Sequence, residues 1–450
     1  MGLSLRRLRI SSRAFACLAT GALVFLAACS GSDAGSLDRS ASGERDDGSR
    51  GAADGSRSSA GSRTESPSSS AATGPFFRAA ADRGTFADFE LEDAVVGDDG
   101  AIRIAEGKGR AGKGPRSAGY ERFYTGGEHR FAVATSPVWT PKSPFDSVTP
   151  SFEASTPPGT WIEIMVSARV DGRWTKDYSL GVWAEDDGTV RRHSIDGQGD
   201  GDGDVATDTL ELHRPADALR VKAILYASAG SRSTPTLRAV AAVATNSDAA
   251  PIETAGDPAA RGKILPVPQR SQLLYEGGSA WCSPTSTSMI LAYWADVLGA
   301  AGLRETVPEA AKRCHDHVYR GTGNWPFNTA HAAAMDGGRL HGAVTRLSSF
   351  GQVERLVAAD IPVAISVRYG PSELAGSPMS STDGHILVVR GFTESGDVVC
   401  NDPAFGSDAT VRVTYDREQL TRAWQRSLGT TYLIWPAGKR LPVDPSGAFF

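Results

Sequence analysis

The chain has 450 residues, room for two or three domains at about 100–200 residues each. Hydrophobic residues make up 40% and charged residues 22%, enough apolar material to bury ordinary globular cores, so disorder throughout is excluded. Lys and Arg total 47 against 52 Asp and Glu, an acidic balance that argues against nucleic acid as a partner.

Arg6, Arg7, Arg9 and Arg13 precede an uncharged apolar run from Ala14 to Ala28. This is the pattern of a secretory signal, too short to span a membrane comfortably as a mature helix. The run leads into Leu26-Ala27-Ala28-Cys29, which resembles the lipobox of bacterial lipoproteins. The resemblance implies that residues 1–28 are a lipoprotein signal peptide and that Cys29 becomes a lipidated N-terminus. The mature protein is then held by its acyl chains on the outer face of the cytoplasmic membrane, touching the membrane through that anchor only. Residues 30–75 hold 14 Ser, 8 Gly and 7 Ala, with Leu37 the only bulky apolar side chain. Such a segment cannot bury enough surface to offset its chain entropy. Residues 29–75 therefore read as a flexible tether of roughly 35–40 Å end to end.

From 76 to 247 short strands alternate with turn residues. Trp161–Val170 alternates roughly, Asp171-Gly172 turns, and further runs cover Tyr178–Ala184, Thr189–Ser194, Asp208–Leu212, Leu219–Tyr226 and Leu237–Ala244. This spacing predicts an all-β sandwich. Asp200, Asp202 and Asp204, with Asp208 and Glu211 at the ninth and twelfth places, have the ligand spacing of an EF-hand calcium loop. Val205 stands where that loop needs Gly, and the flanks read as strands, so a solvated loop is preferred to a calcium site between Asp200 and Glu211. Residues 248–262 read as a linker.

From 263 to 450 helical patterns enter. Met289, Tyr293 and Val297, with Ile290 and Trp294 alongside, predict a buried helix over Pro284–Leu298. Pro308–Tyr319 and Phe350–Asp360 are shorter helix candidates. Strands are predicted at Pro362–Arg368, Gly384–Phe392, Asp397–Asn401, Thr410–Thr414 and Thr430–Trp435, an α+β order. Trp325 and Phe327 are read as aromatics of a Gly/Asn/Pro loop, where they pin the loop to the core in preference to lining a substrate groove.

Five cysteines, at 17, 29, 282, 314 and 400, are too few and scattered for a disulfide scaffold or a CxxC zinc site. Cys282 lies two residues before Pro284, which suits a first helical turn, so its thiol sits at a helix N-terminus where a thiolate is favoured. Gln272 and Gln269 lie upstream as side-chain amides able to reach a tetrahedral oxyanion, with the Cys282 N–H as second donor. Downstream, His385 opens an apolar strand, Glu394–Asp397 turns the chain, and Asp402 ends the return strand, so imidazole and carboxylate come back to one end of the sheet. Simple pairing about Ser395-Gly396 places Asp402 opposite Val389, four residues from His385. A bulge, a turn at Pro403 or strong twist must close that gap. His315 and His317, treated as helical, fall on opposite faces, which speaks against a metal site. Cys314 and Cys400 are left over and read as two buried thiols, with a bridge between them as the alternative in an oxidising compartment.

Gln272, Cys282-Ser-Pro, Gly-His385 and Asn-Asp402-Pro-Ala together resemble the papain-like fold, specifically the bacteriocin-leader-processing cysteine peptidases (family C39) and their exported relatives, over about 263–436. The resemblance implies Cys282 as nucleophile, His385 as general base and acid, Asp402 as its orienting carboxylate and Gln272 as oxyanion donor, with Gln269 in reserve. It requires no cofactor and no metal. Leader processing is not carried over, because founding members are fused to transporters and this chain is not. The expected activity is amide-bond hydrolysis through a thioester, on a peptide, protein or cell-wall substrate. Acyl transfer through the same triad, and a binding protein built on a non-catalytic scaffold, are the alternatives. Sandwich domains attached to such enzymes resemble galactose-binding jelly rolls, which implies a carbohydrate contact by fold analogy alone.

Overall fold

The computed structural model describes residues 74–444; the signal peptide, Cys29 and nearly all of the tether lie outside them. Among the described residues, no helix is long and apolar enough to cross a membrane.

The N-terminal region is made of two seven-stranded sheets. In the first, Phe145–Ser155 and Thr236–Thr245 are the central antiparallel pair, flanked by Thr209–Ala216 on one side and by Phe76–Ala80 and Ile102–Ile104 on the other. In the second, Thr160–Val170 lies between Tyr178–Trp183 and Ala218–Ser228, and the latter pairs onward with Glu128–Thr135. Phe152, Val148, Leu237 and Val240 from the first sheet meet Ile162, Ile164, Val166 and Leu225 from the second in one apolar core. The two sheets thus face each other as layers, and apolar alternation supplies the facing surfaces.

Alternation in Thr160–Val170 is only rough because its other face is covered too. Trp161 and Met165 point into a second, smaller core with Val190, Ile224 and Tyr226. Residues 189–194 belong to that cover and form no strand; Val190 and His193 make only single bridges, to Tyr124 and Val182. The expected strand at Asp208–Leu212 runs instead from Thr209 to Ala216.

The C-terminal region has one six-stranded antiparallel sheet, in the order Leu340–Arg346, Thr430–Pro436, Val363–Tyr369, Thr382–Phe392, Val398–Asn401 and Arg412–Tyr415. The helix Cys282–Leu298 packs on it through Met289, Ile290, Tyr293 and Trp294. It is buried on nearly every side as far as Ala295, whereas Val297, expected on the buried stripe, is 53% exposed.

Two expectations are corrected here, and two elements are added. The helix expected over Pro308–Tyr319 is Val307–Cys314, so His315 and His317 follow its end and their rings lie edge to face at 4.9 Å. Trp325 and Phe327 begin a helix, Trp325–Ala334, where a loop was expected. Asn324 caps it by accepting from the Phe327 N–H at 3.1 Å, and Pro326 occupies the first turn, where its missing N–H costs nothing. Finally, the Arg417–Gln425 helix and the Leu340–Arg346 strand were not foreseen.

The helix Trp325–Ala334 joins the two regions. Phe327 is fully buried and enters the sandwich core beside Trp183, ring centroids 5.4 Å apart. The approach demands a glycine: a Cβ on Gly181 would sit 3.0 Å from the Phe327 ring. Arg346 adds a polar tie, donating to Ser147 and Thr149 hydroxyls at 2.9 and 3.2 Å from a fully buried position.

Candidate active site

Cys282 is the first residue of its helix, and Trp281 before it provides no side-chain cap. The first N–H groups of the helix are therefore free for an anion, and the helix dipole adds positive potential there. Ser283 and Ser286 fix the helix in place: the Ser283 hydroxyl is 2.8 Å from Tyr432 Oη, and Ser286 Oγ donates to the Ile386 carbonyl at 3.1 Å. The second bond fastens the helix to the strand that carries His385.

His385 is buried, and its Nε2 lies 2.8 Å from Asp402 Oδ1. With Nε2 committed to the carboxylate, Nδ1 is the nitrogen left for the Cys282 thiol. Asp402 is fully buried and held from two further directions: Ala404 N–H donates to Oδ1 at 3.0 Å and Tyr415 Oη to Oδ2 at 2.7 Å.

The gap expected between His385 and Asp402 is closed by register. Phe392 pairs with Val398 and Gly391 with Val399, but beyond an irregularity at Arg390 the partners become Val389 with Cys400 and Val388 with Asn401. A three-residue turn, closed by the Thr393 N–H donating to the Asp397 carbonyl at 3.0 Å, and the extra residue at Arg390 each advance the return strand by one position. Asp402 thereby follows on opposite Leu387, on the same face as His385 two residues away. Arg390 anchors this bulge, donating to the Leu265 carbonyl at 2.9 Å and to Asn401 Oδ1 at 3.0 Å.

The electrostatics follow from this packing. Burial alone would raise the Cys282 thiol, but hydrogen bonding and charge from His385, with N–H groups of Ile386 and Ser283, outweigh it and hold the thiol below its ordinary range. Burial would lower His385, yet the Asp402 carboxylate and the Cys282 sulfur raise it above the usual imidazole range. Burial likewise works against the Asp402 anion, and His385, Tyr415 and the Ala404 N–H overcome it. All three shifts favour a thiolate beside an imidazolium backed by a carboxylate.

Gln272 is buried; its backbone N–H donates to the Pro403 carbonyl at 2.9 Å, next to Asp402, and its Nε2 to the Ser279 carbonyl at 2.9 Å, three residues before Cys282. Close packing fixes this turn, since a Cβ on Gly278 would fall 1.9 Å from the Gln272 carbonyl oxygen. One amide hydrogen of Gln272 remains beyond the Ser279 bond. Gln269 is directed elsewhere, its Nε2 donating to the Asp408 carbonyl at 2.9 Å. Cys314 and Cys400 are free, buried thiols with no bridge between them, and burial raises both well above the ordinary thiol range.

Three of the acidic residues between 200 and 211 take separate partners. Asp200 pairs with Lys176 at 3.0 Å, Asp202 with Arg173, and Asp208 is buried, accepting the Trp325 N–H at 2.6 Å. Tyr415 was missed from sequence, although Val411, Val413 and Tyr415 alternate toward the interior and end the strand that pairs with Val398–Asn401.

Comparison with known families adds to this geometry. Residues 77–245 match the model of the Peptidase C39 N-terminal domain, and residues 264–432 that of the Peptidase_C39 like family. The chain belongs to the C39-like peptidases. In this C39-like peptidase the second match contains Cys282, His385, Asp402 and Gln272. No curated protein matches the sequence. Among solved structures, one described as the structure of a family two carbohydrate esterase from Cellvibrio japonicus matches at 13% identity over 42% of each chain with a TM-score of 0.17. The chain spans 42% of that structure's length, and an overlap this poor carries no argument about fold or activity.

Proposed function

We propose that this chain is an exported cysteine peptidase with a papain-like catalytic domain, tethered to the outer face of the cytoplasmic membrane through a lipidated Cys29. The observation that carries the catalytic reading is the buried 2.8 Å contact between His385 Nε2 and Asp402, on a strand bonded to the helix that begins at Cys282. The Cys282 thiolate attacks an amide carbonyl, and the carbonyl electrons move onto oxygen. The Cys282 N–H and the second amide hydrogen of Gln272 donate to that oxyanion. Collapse breaks the C–N bond, and the His385 imidazolium gives its proton to the leaving amine. Water then attacks the thioester with its proton taken by His385, which releases the acid and restores the pair. Asp402 keeps the ring oriented and its charge compensated throughout.

A quenched-fluorescence peptide library tests the reaction: hydrolysis by the wild type that disappears in Cys282→Ala supports it, and hydrolysis unchanged in that variant contradicts it. The anchor is tested separately, since Cys29→Ser is expected to move the protein out of the membrane fraction; unchanged, processed membrane attachment would sink that part.

A further inference from the structure

A cavity of about 290 Å³ opens at the start of the Cys282 helix, with Trp281, the residue before the thiol, as one wall. Thr322 forms an adjoining wall and donates to the Ala280 carbonyl at 3.1 Å, so the loop that frames the cavity is fastened to the turn preceding Cys282. The apolar floor comes from Trp281, Pro308 and Ala311, and the polar groups are Lys312, His315, His317 and Asp187. Asp187 belongs to the sandwich, so both regions of the chain build this cavity.

The charges in the cavity do not cancel. Asp187 is paired on one side with the Arg192 guanidinium at 3.3 Å and on the other with His317 Nε2 at 3.4 Å. Arg192 is itself buried, and it donates to the backbone carbonyl of Lys312 at 2.9 Å, so the sandwich also fixes the helix end that presents Lys312. The exposed Lys312 ammonium makes no ion pair among the described residues. His315, its ring against His317, adds ring N–H capacity beside it. A carboxylate entering here meets an unpaired cation, whereas a cation meets an acid already neutralised by Arg192.

We propose that this cavity is a substrate subsite for an acidic side chain, Asp or Glu, close to the scissile bond, with Lys312 as its specificity-determining residue. The proposal rests on the peptidase reading above and narrows its substrate class to peptides carrying a carboxylate at one fixed position. An apolar floor with a single charged group at the rim is how such pockets select, because charge reversal replaces attraction by repulsion while leaving the reacting groups untouched.

The test uses the full chain and the same quenched peptide library, with cleavage sites mapped by mass spectrometry. The wild type is expected to favour Asp and Glu at one position relative to the cleaved bond. Lys312→Glu is expected to lower kcat/KM for acidic peptides about tenfold, mainly through KM, and to favour Lys or Arg at that position. Lys312→Arg is expected to retain the wild-type preference. Cleavage by the wild type with no acidic preference at any position, or a profile unchanged in Lys312→Glu, overturns the subsite and leaves the peptidase reading standing. Absence of any cleavage that depends on Cys282 overturns both.

Discussion

Cys282 and His385 are displaced in opposite directions, the thiol downward and the imidazole upward. Activity should therefore appear as pH rises through the depressed thiol pKa and disappear as pH rises further through the raised imidazole pKa, giving a bell with a broad neutral top. The alkaline edge depends on the Asp402 charge, which favours the imidazolium. Asp402→Asn keeps an oxygen for the His385 N–H but removes that charge. It is expected to pull the alkaline limb of kcat/KM down by about one pH unit or more while the acid limb moves less. A pH–rate profile of the variant with an unmoved alkaline limb would argue against Asp402 acting electrostatically. At this scale the sequence was informative about which residue types meet: thiol, imidazole, carboxylate and amide were all legible. What was not legible was how Asp402 arrives. The two-position advance depends on a bulge at Arg390 that Leu265 and Asn401 stabilise, and bonds to a segment more than a hundred residues away leave no local signature.

Among the elements, strands and helices with strong periodicity were readable, and those whose burial comes from the other region were not. Thr382–Phe392 and Phe350–Ala358 matched their apolar patterns closely. The Trp325–Ala334 helix was hidden because Asn-Trp-Pro-Phe was read as a loop when the Asn is a cap and the Pro a first-turn residue. Arg417–Gln425 places Leu420, Ala423 and Trp424 on one face at i, i+3 and i+4, a short stripe that the sequence reading passed over. Phe327 makes the first of these helices a structural pin between regions, because its ring sits in the sandwich core against Trp183. Phe327→Ala leaves a cavity that the close Gly181 backbone cannot fill, and is expected to cost about 3–5 kcal/mol in urea unfolding. A loss below about 1 kcal/mol would mean that the pin is dispensable.

For the whole molecule, the contact between the sandwich and the C-terminal region is polar as well as apolar, and it buries the carboxyl of Asp208. Asp208 is buried among Thr209, the Trp325 N–H and the nearby Arg346 charge, and burial pushes its carboxyl from 3.8 up to about 7. A carboxyl raised in the folded state gives stability that is full below its unfolded pKa and is lost as pH rises through its folded pKa. The wild type should therefore lose stability between about pH 4 and about pH 7 relative to Asp208→Asn, whose one carbonyl oxygen can still accept the Trp325 N–H and which does not ionise. The measurement is the pair of melting temperatures across that range, expected to diverge and then run level above it; parallel curves would show that Asp208 does not ionise at the interface. Sequence offered Asp208 as the start of a strand and the ninth position of a calcium-like pattern, with no sign of its partner, the N–H of Trp325 in the other region.

A Cys282 thiolate maintained by His385 and Asp402 can be tested by alkylation, without knowledge of the substrate. The measurement is the rate of iodoacetamide labelling at each cysteine as a function of pH, resolved by peptide mass mapping, for the wild type and His385→Ala. Rapid labelling of Cys282 is expected at mildly acidic pH, where Cys314 and Cys400 stay unmodified in the folded protein, with loss of that acidic reactivity in His385→Ala. A Cys282 that labels only in the alkaline range of an ordinary thiol, at a rate indifferent to His385→Ala, would contradict it.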